Sequence, residues 1–180
     1  MPFMSLNEKQ HRVILQSIAH RAMLERDLLP DFSAEALAEL DELQISIGAN
    51  DIPNASQLDI RDMRDLLWAS IDNNDSRDLD QLTVAEAMSG GKVKVMVAIA
   101  DVDALVKEGS AIGEHARHNT TSVYTAARIF PMLPEILSTD LTSLNPDEER
   151  LAVVVEMEIN ADGSLMNSAV YRARVRNQAK

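Results

Sequence analysis

The chain has 180 residues, enough for one full domain or for a small domain and part of another. Its net charge of −12 argues against a nonspecific nucleic-acid coat, because phosphate binding needs clustered Lys and Arg. It has no cysteine, no long uncharged apolar window and no secretory signal at its start. We therefore expect no disulfide, no thiolate metal site and no membrane segment, in a chain compatible with the cytoplasm.

The first 50 residues predict two helices. Apolar residues at helical spacing mark the first, at Leu15, Ile18, Ala19, Ala22 and Met23. Ser33 can cap the second helix and Gly48 can end it, and the composition of residues 48–57 is typical of a linker. This pair could be a small helix-turn-helix module or a helical cap on the next domain. We favour the cap, because the first helix carries no dense basic face.

The rest of the chain predicts a mixture of strands and short helices. Residues 66–72 and 92–102 have the apolar texture of strands, and the second has the two apolar faces of a buried strand. A short helix is expected within 109–127 and a helical turn after Pro134. Residues 151–177 predict a hairpin that turns at Asp162-Gly163. The expected fold class is α+β, in which an N-terminal helical segment is followed by a mixed α/β region.

Four carboxylates lie close together in the stretch SIDNNDSRDLDQ (70–81), at Asp72, Asp75, Asp78 and Asp80. Carboxylates at this density repel one another unless a cation neutralises them, which indicates a site for a hard divalent metal such as Mg²⁺. The alternative is a solvated acidic loop, since Asp and Asn favour turns. On an extended segment Asp78 and Asp80 would point the same way while Leu79 faces the core.

Residues 62–180 resemble the start of the catalytic domain of the ribonuclease II and ribonuclease R family of exoribonucleases, the RNB domain. The resemblance is carried by linked phrases in the same order and spacing: SIDNNDSRDLDQ (70–81), VKVMVAIADVDALVKEGSAIGEHA (93–116), TSVYTAARIFPMLPEILSTDLTSLNPDEERLAVVVEMEI (121–159) and YRARVRNQAK (171–180). Because several phrases agree together, the resemblance is far more specific than an acidic loop alone.

The resemblance implies Mg²⁺-dependent hydrolysis of single-stranded RNA from its 3′ end to nucleoside monophosphates. The family's first motif matches at three catalytic, metal-binding positions, which are Asp72, Asp78 and Asp80, and one or two Mg²⁺ ions are expected there. The fourth position, an aspartate in the family, is Gln81 here. Asp75 lies inside the motif and is expected to be a turn residue.

Gln81 leaves two interpretations open. The site could hold one Mg²⁺ tightly and recruit a second with the substrate phosphate, which we prefer, or it could be impaired. The corresponding functions are an exoribonuclease and a catalytically impaired RNA-binding or interaction protein that keeps the scaffold. Asp101 and Asp103 could support the metal ligands or be ordinary strand-end and loop residues.

For RNA binding, Tyr124 falls where the family has an aromatic residue that stacks on a base, and a ring face accepts any base. Arg172, Arg174 and Arg176 share one parity on the last predicted strand and are expected to contact RNA as well.

The expected organisation is a helical N-terminal region and linker, residues 1–57, followed by an incomplete RNB-type domain, residues 58–180. The family's catalytic domain is much longer than this second region. We therefore expect a cleaved piece, a truncated product or the product of a degenerate gene. We also expect a companion polypeptide that completes the fold, because a partial domain exposes strand edges and apolar surface.

Overall fold

The computed structural model describes residues 6–48, 59–73 and 75–180, with the backbone alone for residues 6–9 and 46–48. The helices are α1 (Leu6–Leu24), α2 (Ala34–Gly48) and α3 (Ala111–Asn119). The strands are β1 (Arg61–Asp62), β2 (Gln81–Ala87), β3 (Val93–Ala100), β4 (Val123–Tyr124), β5 (Ile129–Phe130), β6 (Glu149–Ile159) and β7 (Leu165–Arg176). The predicted α+β class is confirmed.

The described residues divide into two compact units. The helical unit contains the described part of residues 1–49 and Val106–Pro134, and the sheet unit contains the described part of 50–105 and Glu135–Lys180. The predicted linker at 48–57 lies outside the described residues except for its first residue, so the domain boundary placed there stays a prediction. Within the described ranges, no helix is long and apolar enough to cross a membrane.

In the helical unit, a local cap starts α2 and a long-range contact holds α3 in place. The Ala36 N–H donates to Ser33 Oγ at 3.2 Å, so Ser33 caps α2 as predicted. The side chain of the buried Asn119 exchanges two hydrogen bonds with the Leu29 backbone, at 2.8 and 2.9 Å. These bonds tie α3, the expected short helix, to the connection between α1 and α2.

The sheet unit is built on a five-stranded sheet in the order β1-β7-β6-β3-β2. All neighbours are antiparallel except β1 and β7. One face carries the hydrophobic core, whose largest buried side chains are Trp68, Leu79, Leu82, Met96, Leu144, Val154 and Val175. The prediction that β3 is buried therefore holds for one face only, since Ile99 on the other face is 45% exposed.

The predicted hairpin is β6 and β7, which pair antiparallel along nearly their whole length. At its turn Gly163 has a φ of +87°, a conformation that glycine adopts without steric cost. Asp162 Oδ1 accepts the Ser164 N–H at 3.0 Å and closes the turn. Local turn chemistry therefore predicted this element correctly.

The strand predicted at 66–72 is wrong. Within this stretch only Ala69 forms β-bridges, which are isolated ones to Thr83 and Ala179. Trp68 is fully buried in the hydrophobic core, and its indole N–H donates to the Met63 carbonyl at 2.8 Å. The apolar run therefore places Trp68 in the core without forming a strand.

Candidate functional site

The acidic segment, residues 72–80, lies between the buried Trp68 and the start of β2. Leu79 is 1% exposed and lies in the core, while Asp78 and Asp80 on either side of it are exposed. The prediction that Leu79 faces the core and separates two outward carboxylates is confirmed. A single buried side chain thus directs both acids toward solvent.

The end of the acidic segment is held by backbone and hydroxyl groups from distant parts of the chain. Ser143 Oγ accepts the Leu79 N–H at 3.1 Å, and its hydroxyl proton lies within reach of the Arg77 carbonyl at 3.0 Å and of Asn145 Oδ1 at 3.1 Å. The Leu144 N–H donates to the Leu79 carbonyl at 2.7 Å, and the Ala100 N–H donates to the Asp80 carbonyl at 2.9 Å. Four backbone groups of residues 77–80 are therefore bonded to other parts of the sheet unit.

The start of the acidic segment is held locally. Asp72 Oδ1 accepts the Ser76 hydroxyl at 2.6 Å and the Asn73 N–H at 3.2 Å. The Ser76 N–H donates to the Asn73 carbonyl at 3.1 Å. Asp75 lies in this turn and is exposed, as predicted.

The predicted ligands suit a hard cation chemically, because they are the carboxylate oxygens of Asp72, Asp78 and Asp80 with the amide carbonyl of Gln81. Their arrangement does not form a metal cage. Over the described ranges, no three His, Cys, Asp or Glu side chains are grouped so that they could hold a metal ion. The ligand set of Asp72, Asp78, Asp80 and Gln81 therefore stays a prediction.

Gln81 is the first residue of β2 and is exposed. It lies opposite Ile99 in the β2–β3 pair, one residue before the end of β3. The direction of its backbone is therefore set by the ladder.

The predicted arginine face exists, since Arg172, Arg174 and Arg176 alternate with the buried Ala173 and Val175 on β7. Two of these arginines, Arg172 and Arg176, pair with carboxylates of the same chain. Arg172 Nε donates to Asp101 Oδ2 at 2.7 Å, and a second guanidinium nitrogen donates to Asp103 at 2.6 Å.

The Asp101 side chain is 2% exposed, so this is a largely buried pair on the carboxylate side. The hydrogen bond from Asp101 and its negative charge raise the pKa of Arg172 above its ordinary value. Arg176 lies 3.7 Å from Asp147 in an exposed pair. An RNA-binding role for the three arginines stays a prediction. Arg172 is already hydrogen-bonded to Asp101 and Asp103.

Tyr124 belongs to the helical unit, where the small β4–β5 hairpin presents it with 69% of its surface exposed. An exposed ring on a short hairpin has the form of a stacking platform. Its role also stays a prediction.

Sequence reasoning missed Ser143 and a charged network that joins β3, β6 and β7. Tyr171 donates its hydroxyl to Glu156 at 2.7 Å, and Lys94 lies 3.4 Å from the same carboxylate. Burial, followed by the bond to Glu156, raises the pKa of Tyr171 to about 12. The predicted hairpin could have shown that β6 and β7 are neighbours. No local pattern marks Ser143, whose backbone partners in the acidic segment lie 64 and 66 positions away.

Sequence comparison finds the same family. Residues 60–180 match the RNB domain. The chain is 37% identical to Ribonuclease R of Escherichia coli (strain K12) over 139 residues, which are 77% of this chain and 17% of that protein. It is 33% identical to Ribonuclease R of Thermotoga maritima over 150 residues, 83% of this chain and 20% of that protein.

Structure comparison agrees. Mycoplasma genitalium RNase R in complex with ribose-methylated single-stranded RNA aligns with a TM-score of 0.73 and 28% identity, covering 92% of this chain and 25% of that one. Yeast Ssd1, a pseudonuclease, aligns with a TM-score of 0.61 at 17% identity over 71% of this chain and 16% of that one, which shows the fold alone. The chain spans about a sixth of the length of the Escherichia coli relative.

Proposed function

Because this chain belongs to the RNB domain family, we propose that it forms the start of the catalytic domain of an exoribonuclease. The observation that carries this proposal is the match over residues 60–180, which includes the whole acidic segment. The geometry of that segment supports it, since Asp78 and Asp80 are held outward on a backbone anchored to the sheet.

The proposed reaction is hydrolysis of RNA from the 3′ end to nucleoside monophosphates with Mg²⁺. Asp72, Asp78 and Asp80, with Gln81 in the fourth position, would hold one or two ions. A bound Mg²⁺ would supply charge neutralisation at the phosphodiester. The hard oxygen donors and the family membership support this assignment, and the protein's own part is to hold Asp78 and Asp80 in a fixed orientation.

The proposed substrate is single-stranded RNA. The Mycoplasma genitalium relative was solved with a single-stranded RNA, and Tyr124 offers an exposed ring for base stacking. Arg174 and Arg176 are the arginines of β7 that would contact phosphates, while Arg172 would act through its carboxylate partners.

We further propose that the working enzyme contains a companion polypeptide that completes the catalytic domain, in the cytoplasm. The uncovered face of the sheet supports this, because Ile99 and Val170 are 45% and 68% exposed there. Exposed apolar groups on a sheet face favour burial against another surface.

The deciding experiment uses the chain together with the polypeptide that completes its domain, on single-stranded RNA labelled at the 3′ or the 5′ end. With Mg²⁺, the 3′ label should appear at once as a mononucleotide, and the 5′-labelled RNA should shorten step by step. Asp80→Asn should lower the rate by at least roughly 100-fold, since changes merely supporting metal ligands cost 10–100-fold. Asp75→Asn is the matched control in the adjacent turn and should keep the wild-type rate.

The second candidate, a catalytically impaired RNA-binding protein, is favoured by one observation, the neutral Gln81 in a position where the family has an aspartate. RNA binding that persists in EDTA, with no turnover by the completed protein in Mg²⁺, would establish this alternative and reject the enzyme.

A further inference from the structure

Ser143 is buried in the sheet unit, with 1% of its surface exposed. Its hydroxyl accepts from the Leu79 N–H at 3.1 Å, and its single proton faces two acceptors, the Arg77 carbonyl at 3.0 Å and Asn145 Oδ1 at 3.1 Å. Asp78 is the residue between Arg77 and Leu79. One side chain therefore brackets the backbone on both sides of a predicted catalytic aspartate.

The bracket is continued by the residue that follows. The Leu144 N–H donates to the Leu79 carbonyl at 2.7 Å. Leu79 is thus bonded at both its N–H and its C=O by consecutive residues of one segment, Ser143 and Leu144. This short ladder fixes the backbone direction at Leu79, and so the directions in which Asp78 and Asp80 leave the core.

The bracketing segment is itself anchored. It follows the π-helical turn Leu137–Leu141, which ends with the Thr142 N–H donating to the Leu137 carbonyl at 3.0 Å. The buried Asn177 then donates its side-chain amide to the Leu144 carbonyl at 2.8 Å. Because the backbone is bonded on both sides of Ser143, at Thr142 and at Leu144, the Ser143 hydroxyl is held in place against the acidic segment.

The neighbouring hydroxyl has a different task. Thr142 is also buried, but its Oγ1 donates to the Leu137 carbonyl at 2.8 Å, inside its own turn. Of these two adjacent buried hydroxyls, only that of Ser143 bonds to the described residues of the acidic segment.

We infer that Ser143 is a positioning residue that orients Asp78 and Asp80 for the hydrolytic site, through the backbone of residues 77–79. The inference rests on the proposed exoribonuclease function and adds to it a residue with no part in metal or RNA binding. Groups that orient metal ligands in this way commonly contribute 10–100-fold to affinity or rate.

The test compares Ser143→Ala with Thr142→Val, which removes the adjacent buried hydroxyl. Amide hydrogen exchange of the chain, followed by NMR, should show Leu79 exchanging about tenfold faster in Ser143→Ala, the effect of losing one hydrogen bond. Thr142→Val should accelerate exchange at Leu79 no more than it accelerates the amides inside β3, which report any loss of global stability. Equal acceleration at Leu79 in both variants would overturn the inference.

With the completed enzyme, Ser143→Ala should lower kcat for single-stranded RNA about tenfold or more and leave KM unchanged. Thr142→Val should change neither constant. Ser143→Thr, which keeps the hydroxyl, should restore most of kcat. A normal kcat in Ser143→Ala would reject the positioning role even if Leu79 exchange had accelerated.

The exchange experiment separates this inference from the proposed function, because it needs no activity. If Ser143→Ala does not fold, exchange in the unaltered chain decides: the Leu79 amide should be as protected as amides inside β3. Exchange of Leu79 at the rate of an unstructured peptide would overturn the bracket. Protection of Leu79 together with an inactive completed enzyme would support the bracket and reject the exoribonuclease.

Discussion

The two halves of the acidic segment are held in different ways. In the first half, the described residues 72, 73, 75 and 76 are held by bonds among Asp72, Asn73 and Ser76, and the exposed Lys180 ammonium adds one contact, 2.7 Å from the Ser76 carbonyl. Residues 77–80 are held by groups from the turn before β6 and from the end of β3. We call these the local half and the anchored half.

This difference in bonding determines which carboxylates of the acidic segment can move. Short-range bonds between exposed groups open at little cost, whereas bonds to a packed core open only with the core. Asp72, in the local half, can therefore rearrange toward a ligand, while Asp78 and Asp80 keep the orientation that the sheet sets for them. A metal site on this segment would form by movement of its local half.

The largest effect is expected from the anchor itself. Leu79→Ala should lower the free energy of unfolding by about 3 kcal/mol, because a buried leucine loses its contacts and leaves a cavity. Ile71→Ala, at an apolar position that is 86% exposed next to the local half, should change it by less than about 0.5 kcal/mol. Urea denaturation followed by circular dichroism measures both, and equal losses would contradict the division into halves.

A smaller effect is expected at the end of β3. Asp101→Asn should cost about 1–2 kcal/mol, less than for a fully buried pair because the Arg172 side chain is 29% exposed. Since Asp101 follows the residue that bonds the Asp80 carbonyl, exchange of the Ala100 amide should also accelerate. Asp103→Asn is the control, with a carboxylate that is 62% exposed, and should cost less than about 0.5 kcal/mol.

The smallest effect is expected from adding charge. Gln81→Asp should tighten Mg²⁺ binding roughly tenfold, because the number of charged ligands tunes cation affinity. Asn73→Asp adds the same charge in the local half and should do less. Isothermal titration calorimetry with Mg²⁺ measures both, and no change in Gln81→Asp would remove position 81 from the ligand set.

The elements whose causes are local could be predicted from the amino-acid sequence. Periodic apolar residues and the Ser33 cap predicted the helices, and Asp162-Gly163 predicted the hairpin. The alternation around Leu79 also gave the correct inward and outward directions in the acidic segment. These features depend on residues within a few positions of one another, so they can be read from a single sequence.

The way in which the acidic segment and Arg172 are held depends on contacts between distant parts of the chain. Ser143 meets Leu79 across 64 positions and Arg172 meets Asp101 across 71, and neither pair has a spacing that marks it. Residues 66–72 have the apolar composition of a strand, but they bury Trp68 and do not form a continuous β-ladder. Such contacts are chosen by how the sheet packs over its core, because a polar group is satisfied by whichever partner that packing brings within reach.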